Sequence, residues 1–151
     1  MIHSAGWMIG AICVGAWVGA GSSGSGAGAS TPIVTLTNPS SNGQVVNTLR
    51  NSEGFPTLGA VNAATGLNRC TVEYKRLSDS YFWNGTAWIS SVFAFSPTIT
   101  AASPSPPYYD FRENAGPSAG SMTSGAQYLV YAECVETNGT RTTATVTVTK
   151  A

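Results

Sequence analysis

Charge is what this chain has least of. Only 9% of its 151 residues are Asp, Glu, Lys or Arg, against roughly 25% in ordinary soluble domains. Lysine is almost missing, with Lys75 and Lys150 as the two examples, and His3 is the single histidine. Seven residues of each sign give a net charge of zero. That balance excludes the basic footprint that nucleic acid or an anionic membrane surface would demand. Cysteine is scarce too: Cys13, Cys70 and Cys134 form no CxxC pair. Asp79, Asp110 and Glu113 are scattered rather than clustered, so no metal-ligand spacing appears. No GxSxG, Walker or dinucleotide-binding pattern occurs, and His3 sits in an apolar stretch far from any acid. The expectation is a protein that is not an enzyme and holds no cofactor or metal.

What fills the space is small and hydroxylic. There are 17 Gly, 18 Ser and 18 Thr, beside an ordinary 42% of hydrophobic residues. Disordered chains combine low hydrophobicity with high net charge, and this chain has neither. Its length suits one domain with a real core. A surface of hydroxyls in place of Lys and Glu leans toward work outside the cell, at the cell surface.

The chain divides into three zones: residues 1–20, apolar and free of charge; residues 21–30, a Gly/Ser/Ala linker; and residues 31–151, the globular part. The first zone has the apolar run of a secretion signal, but no Lys or Arg precedes Arg50. It nearly reaches the ~20 residues of a membrane span, yet it is Gly-rich and lacks basic anchors. The favoured reading is an assembly segment. Trp7, Met8, Ile9, Ile12, Val14, Trp17 and Val18 have to be buried in something. Small residues four apart (Gly6 and Gly10; Ala11, Gly15 and Gly19) would suit close helix packing. An extended reading, with Ile12, Val14, Ala16 and Val18 on one face, would suit addition to a neighbour's sheet. Burial of the large side chains would contribute on the order of 10 kcal/mol per arm, at ~1.5–3 kcal/mol each, before ordering costs.

From Thr31 onward the pattern is β. Period-two alternation or β-branched runs mark strands at Ile33–Thr37, Thr57–Val61, Arg69–Leu77, Ser91–Thr100, Tyr108–Phe111, Tyr128–Glu136 and Arg141–Thr149. Asn42-Gly43, Asn84-Gly85 and Asn138-Gly139 are turn signals, and the second sits in an aromatic hairpin spanning Tyr81–Trp88. Asn84 and Asn138 also fit the N-glycosylation sequon, although turn chemistry accounts for both. The aromatics of the hairpin, with Phe93 and Phe95, offer either a sugar-stacking platform or core packing, and core packing is favoured. No stretch after residue 31 shows a helical period. Short strands with turns every 8–12 residues predict an all-β sandwich.

The globular part resembles the bacterial Ig-like domains of surface and secreted proteins. The resemblance is carried by Thr35-Leu36-Thr37-Asn38-Pro39 with Asn42-Gly43, by Leu58-Gly59-Ala60 with Gly66-Leu67, and by the hairpin Tyr81, Trp83-Asn84-Gly85-Thr86, Trp88. Ser124-Gly125, Tyr128, Val130, Ala132 and Asn138-Gly139 continue it. An Asp common near the last turn of that family is Glu136 here, and no tandem copy follows. The resemblance implies an Ig-like β-sandwich and a binding or spacer role. In such a sandwich the strands of Cys70 and Cys134 would be neighbours or face each other. A disulfide between them is favoured over two buried thiols. The apolar arm ahead of a β head also resembles the layout of pilin subunits, but their Glu at the fifth mature position is Ala5 here.

The expected function is therefore structural: a subunit of an extracellular filament or pilus-like fibre, polymerising through its arm. Its partners would be copies of itself, with membrane contact of the arm before assembly. The rival expectation is a cell-surface adhesion or carbohydrate-binding module anchored by the N-terminal segment.

Overall fold

A computed structural model describes residues 33–102 and 108–151. Ten strands run in the order β1 Ile33–Asn38, β2 Gln44–Val46, β3 Thr57–Asn62, β4 Leu67–Arg76, β5 Phe82–Trp83, β6 Trp88–Ile89, β7 Thr98–Ala101, β8 Tyr108–Glu113, β9 Gln127–Glu136 and β10 Arg141–Lys150. Two single-turn 3-10 helices, Asn51–Glu53 and Ala119–Ser121, are the only helical elements among the described residues. The strands form two sheets. Sheet one has four strands in the order β1-β3-β8-β7, and sheet two has six in the order β2-β10-β9-β4-β5-β6.

One long segment feeds both sheets. β1 pairs antiparallel with β3, then the chain turns at Asn42-Gly43 and β2 pairs parallel with β10. Gly43 takes φ 80°, the left-handed region glycine favours. The turn is tied to β10 twice, by Gly43 N–H donating to the Thr147 carbonyl and Thr147 N–H donating to Asn42 Oδ1, each at 2.8 Å.

Alternation along the strands builds one core from both sheets. Val34, Leu36, Val61 and Phe111 come from sheet one. Val72, Tyr74, Tyr128, Val130, Val146 and Val148 come from sheet two. A polar tie crosses this core: the Tyr74 hydroxyl donates to Thr57 Oγ1 at 2.8 Å, and both side chains are fully buried. Burial holds the Tyr74 hydroxyl far above the usual phenol range, so it remains a neutral donor.

Two expectations change in detail. The strand expected over Ser91–Thr100 shrinks to Thr98–Ala101. The residues before it form a loop in which Phe95 makes an isolated bridge to Val72 of β4. The hairpin's strands are two residues each, because the segment is held by side chains more than by a ladder.

Candidate functional site

Cys70 and Cys134 are bonded, and they stand directly opposite each other on β4 and β9. The bond therefore links neighbours within sheet two rather than the two sheets. Both cysteines lie on the inward phase of their strands and are buried.

The aromatic hairpin turns into the head. Trp83 is 2% exposed, and its indole N–H donates to the Ala115 carbonyl at 2.9 Å. The Trp88 indole N–H donates to the Ser121 carbonyl at 2.7 Å. The two rings lie 5.4 Å apart, and Trp88 also packs on Tyr128 at 5.3 Å. Arg50 closes the arrangement: its guanidinium donates to the carbonyls of Gly116 and Gly85, each at 3.0 Å, and lies over the Trp83 ring. Both indoles thus spend their polar edge on the 115–121 loop, as packing residues do. Tyr81 and Phe93 remain partly exposed. Spacing alone gave no sign of Arg50, because its partners lie 35 and 66 residues away.

The turn at Asn84 is an Asx turn in which Oδ1 accepts from the N–H groups of Thr86 and Ala87 and from the Thr86 hydroxyl. The residue is half-buried. Asn138 is exposed, and its Oδ1 accepts one bond, from Thr140 N–H at 2.8 Å. Glu136 is the last inward-phase residue of β9 and is 1% exposed, a carboxylate where the strand otherwise buries apolar side chains. Its Oε2 accepts the Thr65 hydroxyl at 2.7 Å, while Oε1 has no hydrogen-bond partner among the described residues.

The outer faces of the two sheets differ. That of sheet two carries Arg69, Glu73, Lys75, Glu133 and Arg141. Arg141 and Arg69 reach Glu133 at 3.2 and 3.9 Å. Partial burial raises the Glu73 carboxyl above the usual carboxylate range, and the neighbouring Glu133 adds to the rise. That of sheet one carries Asp110 and Arg112 and otherwise neutral side chains such as Thr35, Ala60 and Thr100. Two grooves of about 390 and 420 Å³ mark this face.

The expected assembly residues Trp7, Met8, Ile9, Ile12, Val14, Trp17 and Val18 lie outside the described residues, as do Cys13 and the linker. Among the described residues, no group of three or more His, Cys, Asp or Glu could hold a metal ion, and no helix is long and apolar enough to cross a membrane.

No protein-family model and no curated protein matches the chain. Among solved structures, it is similar to that of Astrotactin-2, a conserved vertebrate-specific and perforin-like membrane protein involved in neuronal development. The identity is 12%, the TM-score is 0.40, and the match covers 80% of this chain and 21% of that one. The chain thus spans about a fifth of the length of that protein.

Proposed function

We propose that the head is an Ig-like β-sandwich and that the whole chain is a structural subunit of an extracellular, pilus-like filament. Strand order supports the fold reading. Sheet one follows the A-B-E-D order of Ig sheets, and sheet two follows G-F-C, with β2 beside G and two further strands beyond C. Tyr128 supports it as well: near the start of β9 its hydroxyl accepts the Thr123 N–H at 2.7 Å, the manner of a tyrosine corner. The disulfide departs from the Ig pattern, where the bond joins the two sheets. It agrees with an oxidising compartment, and so with a place at the cell surface.

The observation that carries the functional reading is the distribution of charge. Residues 1–49 hold none, and all 14 charges lie in residues 50–151. A charge-free arm can be buried against another subunit without stranding an ion. A neutral, hydroxyl-rich head meets little repulsion from its copies. Repeated contact of one arm with the next head generates a fibre when the rotation does not close.

Deletion of residues 1–20 tests this. The core draws on residues from Val34 to Val148, so the truncated head should keep its circular dichroism and unfold cooperatively. Negative-stain micrographs should show filaments from the full-length chain and separate particles from the truncation. Filaments from the truncated chain sink the proposal.

A further inference from the structure

We infer that the outer face of sheet one is the surface on which the apolar arm of a neighbouring copy docks, an inference that rests on the filament reading above. The face is shaped by side-chain height. Across its middle run the short residues Thr35, Ala60, Asp110 and Thr100, in register on β1, β3, β8 and β7. On one side Leu58 and Arg112 help to wall the first groove. On the other, Ile33 and Tyr108 help to wall the second, and both are well exposed, at 62% and 40%. Leu58, Ile33 and Tyr108 give the grooves apolar walls. Recesses of this kind take bulky apolar side chains and reward them by area removed from water.

Charge then selects the occupant. Asp110 and Arg112 are the charged residues of this face, so it offers nothing to a polyanion or a strongly charged partner. The opposite face carries five charges, and an uncharged arm laid across it would strip them of water without replacing their partners. The arm has seven large apolar side chains between Trp7 and Val18 and no charge. It would lose least where charge is sparsest. Its tether also leads here: residues 19–32 end at Ile33, on the rim of this face. Fourteen residues span at most about 50 Å and on average about 20 Å, enough to pass from one head to the next. The free edge of β7 is a poorer receptor, because its four residues can pair with only a fraction of the arm.

Cys13 supplies the probe. The full-length C13S/T35C chain puts one thiol on the face of sheet one, and C13S/T143C puts one on the outer face of sheet two. Each is mixed with the wild-type chain, oxidised by air and catalytic copper, and resolved on a non-reducing gel with peptide mass mapping. Contact raises effective concentration, so Cys13 should couple to the Thr35 position at least about tenfold faster than to the Thr143 position. Thr100→Cys should repeat the result from the far strand. Equal rates at the two faces overturn the inference. So does coupling of T35C chains mainly to one another, which makes a second face the occupant. The parent T35C chain, which keeps Cys13, adds a third arm: an internally bonded monomer as its main product means the arm folds back on its own head, and overturns the inference. Filaments that form without Cys13 coupling sink this inference and leave the filament reading standing, whereas absence of filaments sinks the reading itself.

Discussion

Gly59 and Phe111 offer the sharpest test of how this head is packed. They stand opposite each other on β3 and β8, and both point inward. A Cβ at residue 59 would fall on Phe111 Cζ, with Cε1 and Cε2 at 2.5 and 2.7 Å. Phe111 is 2% exposed, so its ring has nowhere to go. Gly59→Ala should gain about 0.5–1 kcal/mol, because alanine loses less backbone freedom in a strand. It should lose about 1–3 kcal/mol to overpacking, and so destabilise on balance by about 1 kcal/mol at the middle of both ranges. Phe111→Leu alone opens space and costs stability by the cavity it leaves. In the double variant, the new methyl occupies part of that space. The pair should therefore be more stable than the sum of the singles by about 1–2 kcal/mol. Gly116→Ala is the control, since its Cβ would meet the Leu49 carbonyl, which no change at Phe111 moves. Urea unfolding followed by tryptophan fluorescence, with Trp83 buried as the reporter, measures all four variants. A neutral or stabilising Gly59→Ala, or strict additivity with Phe111→Leu, would refute the reasoning.

Other outcomes follow from the same structure. Breaking the Cys70–Cys134 bond by a Cys-to-Ala pair should cost about 4 kcal/mol in the chain-entropy account of its 64-residue separation, read as a lower urea midpoint. Glu73 has a folded carboxyl raised above its unfolded value, so its ionisation opposes folding. That contribution to stability is present below the unfolded value and is lost as pH rises through the folded one. Glu73→Gln should therefore raise the unfolding midpoint at pH 7 and lose that advantage near pH 3. In a host that glycosylates sequons, peptide mapping should find Asn138 occupied more fully than Asn84, whose Oδ1 is already engaged by three donors.

The parts of this fold written in local chemistry were readable from the residues. β4, β9 and β10 announce themselves by alternation, and their inward phase (Cys70, Val72, Tyr74; Tyr128, Val130, Ala132) matches the buried set. The Asn-Gly turns at 42–43, 84–85 and 138–139 each put their glycine at positive φ. What local pattern could not reveal depends on distant partners. The three-residue strand β2 exists because β10 lies beside it, and nothing in Gln44-Val45-Val46 demands that pairing. Glu136 falls on the inward phase of β9, where a carboxylate has no evident partner until Thr65 supplies a hydroxyl to it. Arg50 looks like one of five scattered arginines until the turn at Gly85 and the loop at Ala115-Gly116 converge on it. The contrast between the two outer faces needed the register of both sheets, because the total charge is the same whichever face holds it.

The parallel ladder between β2 and β10 has a mechanical consequence. Tension applied between the chain ahead of Ile33 and the chain after Lys150 draws these strands lengthwise past each other in opposite senses. Their hydrogen bonds are then loaded together, in shear, instead of opening one at a time from an end. Should the ladder give way, the bond between Cys70 and Cys134 still withholds the intervening stretch, on the order of 200 Å of contour for a 64-residue separation. A head pulled by its two chain ends would resist first by shear and then by a covalent stop, so it would yield without being drawn out to its full length.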